Sequence, residues 1–113
     1  MGCGDGHLDR DQLRDVTLDD EELMREVVCA LIDDTSRQME LLKRAITDQD
    51  ATRCMHLAHY SKGACANVGA ATAAEILKDI ERRAANHEFG ACDAALVRLA
   101  AEVETLRSEV TSL

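Results

Sequence analysis

Hydrophobic residues recur at spacings of three and four along four long stretches of the chain, which is the period of helices that bury one face. The stretches cover about residues 20–47, 51–68, 72–85 and 92–113, and none of them alternates residue by residue as a strand does. The pattern therefore predicts an all-α protein. The positions expected in the core are Met24, Val28, Leu31, Thr35, Met39, Leu42 and Ile46; Cys54, Leu57, Ala58, Ser61, Cys65 and Val68; Ala73, Ile76, Leu77, Ile80 and Ala84; and Cys92, Leu96, Leu99, Val103, Leu106, Val110 and Leu113.

Short polar or glycine-containing breaks separate these stretches. The run 48–50 offers an aspartate as the cap of the second long helix, and residues 69–71 form a tight connection after it. Thr72 and Glu75 have the spacing of a capping box, which predicts the start of the third long helix, and residues 86–90 end it. Because short links join neighbouring helices, the sequence predicts an antiparallel up-down four-helix bundle.

The N-terminal part adds a short helix to this bundle. Residues 1–7 are rich in glycine and predict a flexible N-terminus, while residues 8–16 predict a short helix and begin a bundle domain that spans 8–113. The first glycines do not form a phosphate-binding loop, because no strand precedes them. We expect a monomer, although the unbroken heptad over 92–113 is also compatible with a coiled-coil dimer.

Charge and cysteine content narrow the function. The net charge of −9, from 22 acidic and 13 basic residues, argues against a nucleic-acid partner. No apolar run is long enough to span a membrane and no signal peptide is evident, so we expect a cytoplasmic protein without a membrane partner. An odd number of cysteines without a C-x-x-C pair predicts free thiols. Four of these thiols are expected to be buried, namely Cys29, Cys54, Cys65 and Cys92. The thiol of Cys3 is expected to be exposed.

Candidate chemistry is concentrated on the second long helix. His59 lies roughly 150° from the centre of the apolar face, with Lys62 and Gly63 three and four residues later and His56 on the same outward side. An exposed neutral imidazole can attack a phosphoryl group, and an ammonium beside it can stabilise the phosphate charge. Gly63 is unfavourable inside a helix, but the absence of a side chain gives another protein access to the imidazole.

The charge around this histidine differs from that of the rest of the chain. Residues 51–74 contain Arg53 and Lys62 but no Asp or Glu, although the chain as a whole is strongly acidic. Such a separation of charge suits docking onto the acidic pocket of a partner protein.

The run from His59 to Gly69 resembles the H-x-x-K-G-x5-G signature of the histidine phosphotransfer (HPt) domain family. The segments 23–46 and 70–85 also resemble the first and third bundle helices of that family. The resemblance implies that His59 accepts a phosphoryl group from a receiver aspartate and passes it to another, with Lys62 stabilising charge and Gly63 giving access. It implies a phosphocarrier rather than a nucleotide-dependent enzyme, with response-regulator receivers and a sensor or hybrid histidine kinase as partners.

The resemblance also sets expectations for cofactors and for the orientation of the ring. No cofactor and no metal site of the protein's own are expected, since the receiver supplies Mg²⁺. Many family members have a glutamine that binds the imidazole Nδ1, but this chain has none there, and Glu81 or Arg82 is nearest in register. His56 is expected to be a peripheral docking contact.

Three other interpretations compete with phosphotransfer. The bundle could be an adaptor or structural protein that is never phosphorylated. A metal could bind His56 and His59 with Cys54 and Cys65, but the cysteines are expected to face the core and the histidines the solvent. A kinase dimerisation domain would need an adjoining ATP-binding domain.

Overall fold

Five helices and no strand make up the computed structural model, which describes residues 7–113. The all-α prediction is therefore confirmed for this part of the chain. The helices are α1 (Arg10–Val16), α2 (Glu21–Thr47), α3 (Ala51–Asn67), α4 (Ala71–Ala85) and α5 (Phe89–Val110). Among residues 7–113, no helix combines the length and the apolar character that crossing a membrane requires.

The four long helices contact one another in a ring. Helix α2 packs against α3 and α5, and α4 packs against the same two helices, so that α3 lies diagonally opposite α5. Three-residue connections join successive long helices, and α1 packs against α2. This order of contacts is the one that the predicted bundle requires, while the alternating direction of the helices stays a prediction.

The core contains the residues that the periodicity indicated. Every predicted core position is buried, except for five half-buried residues that pack against the edge of the core. These five are Met39, Leu57, Val68, Val110 and Leu113. Burial of one leucine or isoleucine stabilises a fold by about 1.5–3 kcal/mol, so these faces supply most of the driving force that holds the helices together.

Aspartates begin three of the five helices. The side chains of Asp9, Asp20 and Asp50 accept hydrogen bonds from the backbone three residues later, at the starts of α1, α2 and α3. Asp50 is thus the aspartate of the 48–50 run that caps α3. Each such cap stabilises a helix by about 1 kcal/mol.

The predicted capping box at Thr72 is wrong. Helix α4 begins at Ala71, after Ala70, and no side chain caps it. Gly69, with φ +85°, follows Val68, the C-terminal cap of α3, and the N–H of Ala70 donates to the carbonyl of Cys65. Because the backbone turns at this glycine, helical geometry resumes before Thr72, which lies inside the first turn.

The prediction for the cysteines is correct at three positions and wrong at Cys29. Cys54, Cys65 and Cys92 are buried, whereas Cys29 is exposed. Cys29 follows Val28 and lies about 120° from the centre of the apolar stripe of α2, too far round to enter the core. Burial raises the pKa of the Cys65 and Cys92 thiols to about 11.

The N-terminal segment packs against the end of the bundle. Leu8 and Leu13 are buried, and the N–H of Asp9 donates to the carbonyl of Gly69 at 2.7 Å. Nδ1 of His7 lies 2.9 Å from the buried carboxylate of Glu102. The predicted flexible segment, apart from His7, and the predicted reactive thiol of Cys3 lie outside the described residues.

Candidate functional site

Helix α3 directs His59 into solvent. The buried face of α3 consists of Cys54, Ala58, Ser61 and Cys65, and the side chain of His59 on the other side is 69% exposed. The outward orientation expected from the helical period is confirmed. A reagent as large as another protein can therefore reach the imidazole.

A single carboxylate on α4 binds both candidate groups of α3. Oε2 of Glu81 lies 3.1 Å from Nδ1 of His59, and Oε1 lies 2.8 Å from Nζ of Lys62. An ionised carboxylate can only accept hydrogen bonds, so this contact places a proton on Nδ1. In the neutral ring the lone pair then lies on Nε2, the nitrogen available for attack on phosphorus.

Glu81 is ionised in this setting. Partial burial raises the pKa of its carboxyl group, but the hydrogen bonds and charges of Lys62 and His59 outweigh that effect and leave the pKa below its ordinary value. The carboxylate thus has the negative charge needed to stabilise a positively charged imidazole ring.

The sequence left open whether Glu81 or Arg82 lies nearest to the His59 ring, and the structure shows that Glu81 contacts it. Arg82 lies 100° further round α4 and donates to Asp79 at 2.6 Å, away from His59. Glu81, one residue earlier, is the group that contacts the ring. The family resemblance could narrow the choice to these neighbours but could not decide it, because the decision depends on how α4 packs against α3.

The two glycines of the motif have different surroundings. A Cβ atom built on Gly63 meets nothing within 4 Å, so packing within the protein does not require glycine there. A Cβ built on Gly69, at φ +85°, would lie 2.7 Å from the backbone oxygen of Asp9. Gly69 therefore serves the connection between α3 and α4, and Gly63 leaves open space one turn after His59.

His56 and the proposed metal ligands do not converge. His56 is exposed one turn before His59 and borders a shallow surface depression with Asp50 and Arg53. Cys54 and Cys65 are buried on the opposite face of α3. Within residues 7–113, no group of three or more His, Cys, Asp or Glu side chains is arranged to hold a metal ion.

Sequence reasoning missed one contact beside His59. The Asp34 carboxylate of α2 raises the pKa of the Tyr60 hydroxyl, through hydrogen bonding and through its negative charge. The Asp34 carboxylate also lies 3.5 Å from the guanidinium of Arg37. Only the packing of α2 against α3 pairs Tyr60 with Asp34, so nothing in the linear order of residues indicates the contact.

Comparison with known proteins identifies one matching family model and one solved structure of similar fold. The family model described as the Hpt domain matches residues 26–109, which include the whole of α3 and α4. No curated protein matches the sequence. The chain is similar in structure to histidine-containing phosphotransfer protein B from Pseudomonas aeruginosa, with a TM-score of 0.84, 24% identity, and coverage of 94% of this chain and 92% of that one.

Proposed function

The chain belongs to the Hpt domain family, and on that premise we propose that His59 is the residue that carries the phosphoryl group. Proteins of this family are phosphocarriers rather than kinases, and the function of the chain is histidine phosphotransfer in a phosphorelay. Its partners are histidine kinases and receiver domains. One observation supports the assignment of the phosphoryl group to His59. Its ring is exposed, Glu81 holds Nδ1, and both residues lie inside the region that the family model matches.

Phosphoryl uptake follows from this geometry. Nε2 of His59 attacks the phosphorus of a receiver aspartyl phosphate in line, so that the N–P bond forms while the bond from phosphorus to the aspartate oxygen breaks. The ring keeps its proton on Nδ1 and gains positive charge. The ionised Glu81, 3.1 Å from Nδ1, stabilises that charge as it develops.

Transfer to the next receiver uses the same contact. When an aspartate oxygen attacks phosphorus and the N–P bond breaks, the ring leaves as neutral imidazole because Nδ1 still carries its proton. Glu81 thus acts in both directions by holding the ring and its proton. Lys62, held by Glu81 at 2.8 Å, has a flexible stem that lets its ammonium turn towards the phosphoryl oxygens.

The surface around His59 suits a receiver domain. Helix α3 has no Asp or Glu, although the whole chain has a net charge of −9. The open space at Gly63 gives the loops of a receiver room to approach the ring. We propose that the receiver supplies Mg²⁺ and that the protein needs no cofactor of its own.

Three further features belong to the proposal. Short connections and the ring of contacts favour helices that alternate in direction, as in an up-down bundle. The buried heptad positions of α5 pack within the bundle, which favours a monomer. We also propose that the protein acts in the cytoplasm, together with its receivers and kinases.

Labelling by phosphorylated receivers tests the assignment. We expect His59→Gln to lose acid-labile labelling and to keep the wild-type circular dichroism spectrum, because the side chain is exposed. His56→Gln is the matched control and should keep most of the labelling. Labelling that survives in His59→Gln, or that is lost only in His56→Gln, would refute the assignment, and an adaptor would not be labelled at all.

A further inference from the structure

We propose that Glu81 and Lys62, which form an ion pair with each other, set the highest pH at which phosphorylated His59 gives up its phosphoryl group readily. They do so through the proton on Nδ1 of the ring. The inference rests on the proposed function, because it concerns the state that follows phosphoryl uptake at Nε2. It adds a pH range to that function, set by two neighbouring charges that act in opposite directions.

The proton on Nδ1 decides how easily the bond from Nε2 to phosphorus breaks. In donation, an oxygen of the accepting aspartate bonds to phosphorus, and the electron pair of the broken N–P bond stays on Nε2. With Nδ1 protonated, the ring leaves as neutral imidazole. Once Nδ1 has lost its proton, the ring would have to leave as an imidazolate anion, which is a far stronger base and a poor leaving group. Donation should therefore slow as the pH rises through the midpoint of this proton loss.

Glu81 favours the protonated ring. Its Oε2 lies 3.1 Å from Nδ1 of His59, and its side chain is only 25% exposed. A carboxylate at hydrogen-bonding distance stabilises the charged form of an imidazole, and partial burial reduces the screening of its charge by water. The contact therefore moves the midpoint of proton loss to higher pH. The ring of His59 is 69% exposed, which limits this movement to about 0.5–1 pH unit.

Lys62 acts against Glu81 through the same carboxylate. Its Nζ lies 2.8 Å from Oε1 of Glu81, so one negative charge serves both the ammonium and the ring of His59. The ammonium balances part of the carboxylate charge, and it disfavours a second positive charge on the neighbouring ring. Lys62 therefore lowers the midpoint that Glu81 raises, and the balance of the two sets the pH limit.

Two charged side chains on the neighbouring helices are directed elsewhere. Arg82 of α4 donates to the carboxylate of Asp79 at 2.6 Å. The carboxylate of Asp34, on α2, acts on the hydroxyl of Tyr60. Neither of these contacts involves the ring of the phosphorylated residue.

Three further titratable or charged groups lie on α3 and α4 near the ion pair. On α3, His56 is one turn before His59 and Arg53 nearly two turns before it, while Lys78 is one turn before Glu81 on α4. All three side chains are exposed or half-buried at the surface, where water and salt screen their charges. Within residues 7–113, the ring of His59 has its ion pair with Glu81, so this contact dominates the balance.

Phosphorus NMR of the phosphorylated protein measures the midpoint directly. Phosphoramidate supplies the phosphoryl group, so no receiver is present, and the phosphorus resonance shifts when the ring loses its proton. We expect Glu81→Gln to lower the midpoint by about 0.5–1 pH unit and Lys62→Gln to raise it by a similar amount. Glu81→Asp keeps the charge on a shorter side chain and should lie between Glu81→Gln and the wild type.

Rapid-quench transfer from the phosphorylated protein to a receiver measures the consequence. The rate of each variant is divided by the wild-type rate at the same pH, so that the receiver's own dependence on pH cancels. For Glu81→Gln this ratio should be constant at low pH and fall by a further factor of about 3–10 at high pH, because the protonated fraction changes by that factor. For Lys62→Gln the ratio should rise with pH. A merely structural role of either residue would change the rate equally at every pH.

Two matched controls each remove one exposed charge that does not contact the ring, Glu75→Gln on α4 and Lys43→Gln on α2. Both should titrate with the wild-type midpoint. The inference is wrong if Glu81→Gln keeps that midpoint, if Lys62→Gln moves it in the same direction as Glu81→Gln, or if the transfer ratios do not vary with pH. If His59→Gln is phosphorylated as fully as the wild type, the phosphoryl group resides elsewhere and the proposed function itself fails.

Discussion

The carboxylate of Glu81 lies 3.1 Å from Nδ1 of His59, across the interface of α3 and α4. A glutamine at this place could hold the ring but could not neutralise its charge. In the proposed mechanism the contact combines two roles, orientation of the ring and stabilisation of the positive charge that the ring would gain on phosphorylation.

Substitution of Glu81 separates these two roles. We expect Glu81→Ala to slow receiver-dependent labelling of His59 about tenfold or more, because the ring loses its orientation and Nδ1 its acceptor. Glu81→Gln keeps an acceptor and should lie between Glu81→Ala and the wild type. Rapid-quench labelling measures the rates, and Arg82→Gln, on the same helix but turned towards Asp79, serves as the control. Equal rates in Glu81→Ala and the wild type would show that the ring needs no partner on α4.

The pKa of Glu81 also predicts a dependence of stability on pH. Because the pKa of this carboxyl group is lower in the folded protein than its ordinary value of 4.5, the ionised form stabilises the fold above that value. The stabilisation is lost as the pH falls through the lowered pKa. Urea unfolding should show Glu81→Gln less stable than the wild type by about 0.5–1 kcal/mol at pH 7, with a smaller difference at pH 3. A difference that grows towards pH 3 would contradict the sign of the shift.

Helical periodicity was sufficient to predict the buried faces. The stripe from Met24 to Ile46 is buried or half-buried throughout, and the same reasoning placed His59 in solvent. Shifting the predicted buried face by one residue along a helix would rotate it by 100°, and the apolar pattern excludes so large a rotation. The fold class and the exposure of the site therefore follow from the order of apolar and polar residues.

Contacts between helices could not be derived in this way. Glu81 and Arg82 are adjacent in sequence, and the choice between them depends on the rotation and offset of α4 against α3. The start of α4 depends on the positive φ of Gly69, which sequence spacing around Thr72 does not encode. Cys29 lies beside the apolar stripe rather than on it, and its thiol was wrongly assigned to the core.

Ser61 offers a test of the core beneath the site. Its hydroxyl is buried, and among the described residues Oγ has no hydrogen-bond partner. We expect Ser61→Ala to increase the free energy of unfolding by about 1 kcal/mol, because an unpaired polar group leaves the core. Ser108→Ala, on the exposed surface of α5, measures the gain in helix propensity alone, about 0.5 kcal/mol. If urea unfolding shows the same increase in the free energy of unfolding for both variants, the buried hydroxyl of Ser61 does not destabilise the fold.

Gly69 should be required for folding rather than for chemistry. Alanine there would have to adopt φ +85° and place Cβ 2.7 Å from the backbone oxygen of Asp9. The left-handed conformation alone costs about 1–2 kcal/mol, and the contact with Asp9 adds to it. We expect Gly69→Ala to lower the urea midpoint markedly, while labelling by phosphoramidate per folded molecule stays unchanged. A midpoint equal to that of the wild type would mean that the connection of α3 to α4 can rearrange without cost.

Gly63 should show the opposite behaviour, with a gain in stability and a loss in transfer. A Cβ at this position meets nothing within 4 Å, so Gly63→Ala should stabilise α3 by up to about 1 kcal/mol through helix propensity. Gly63→Gln should also fold, because glutamine suits an exposed helix position. Its longer side chain, however, occupies the space beside His59 that the loops of a receiver must enter.

Displacement of reacting groups by about 1 Å can slow a transfer about a hundredfold. We therefore expect Gly63→Gln to slow receiver-dependent labelling of His59 strongly, with a smaller effect on labelling by phosphoramidate. Gly90→Gln is the matched control, because Gly90 also lies in a helix with open space around its Cβ, but on α5, diagonally opposite α3. Both glutamine variants should keep the melting temperature at or above that of the wild type, while only the one at Gly63 loses transfer. Equal transfer rates in the two would mean that a receiver approaches His59 from another side, and the glycine would then have no role in access.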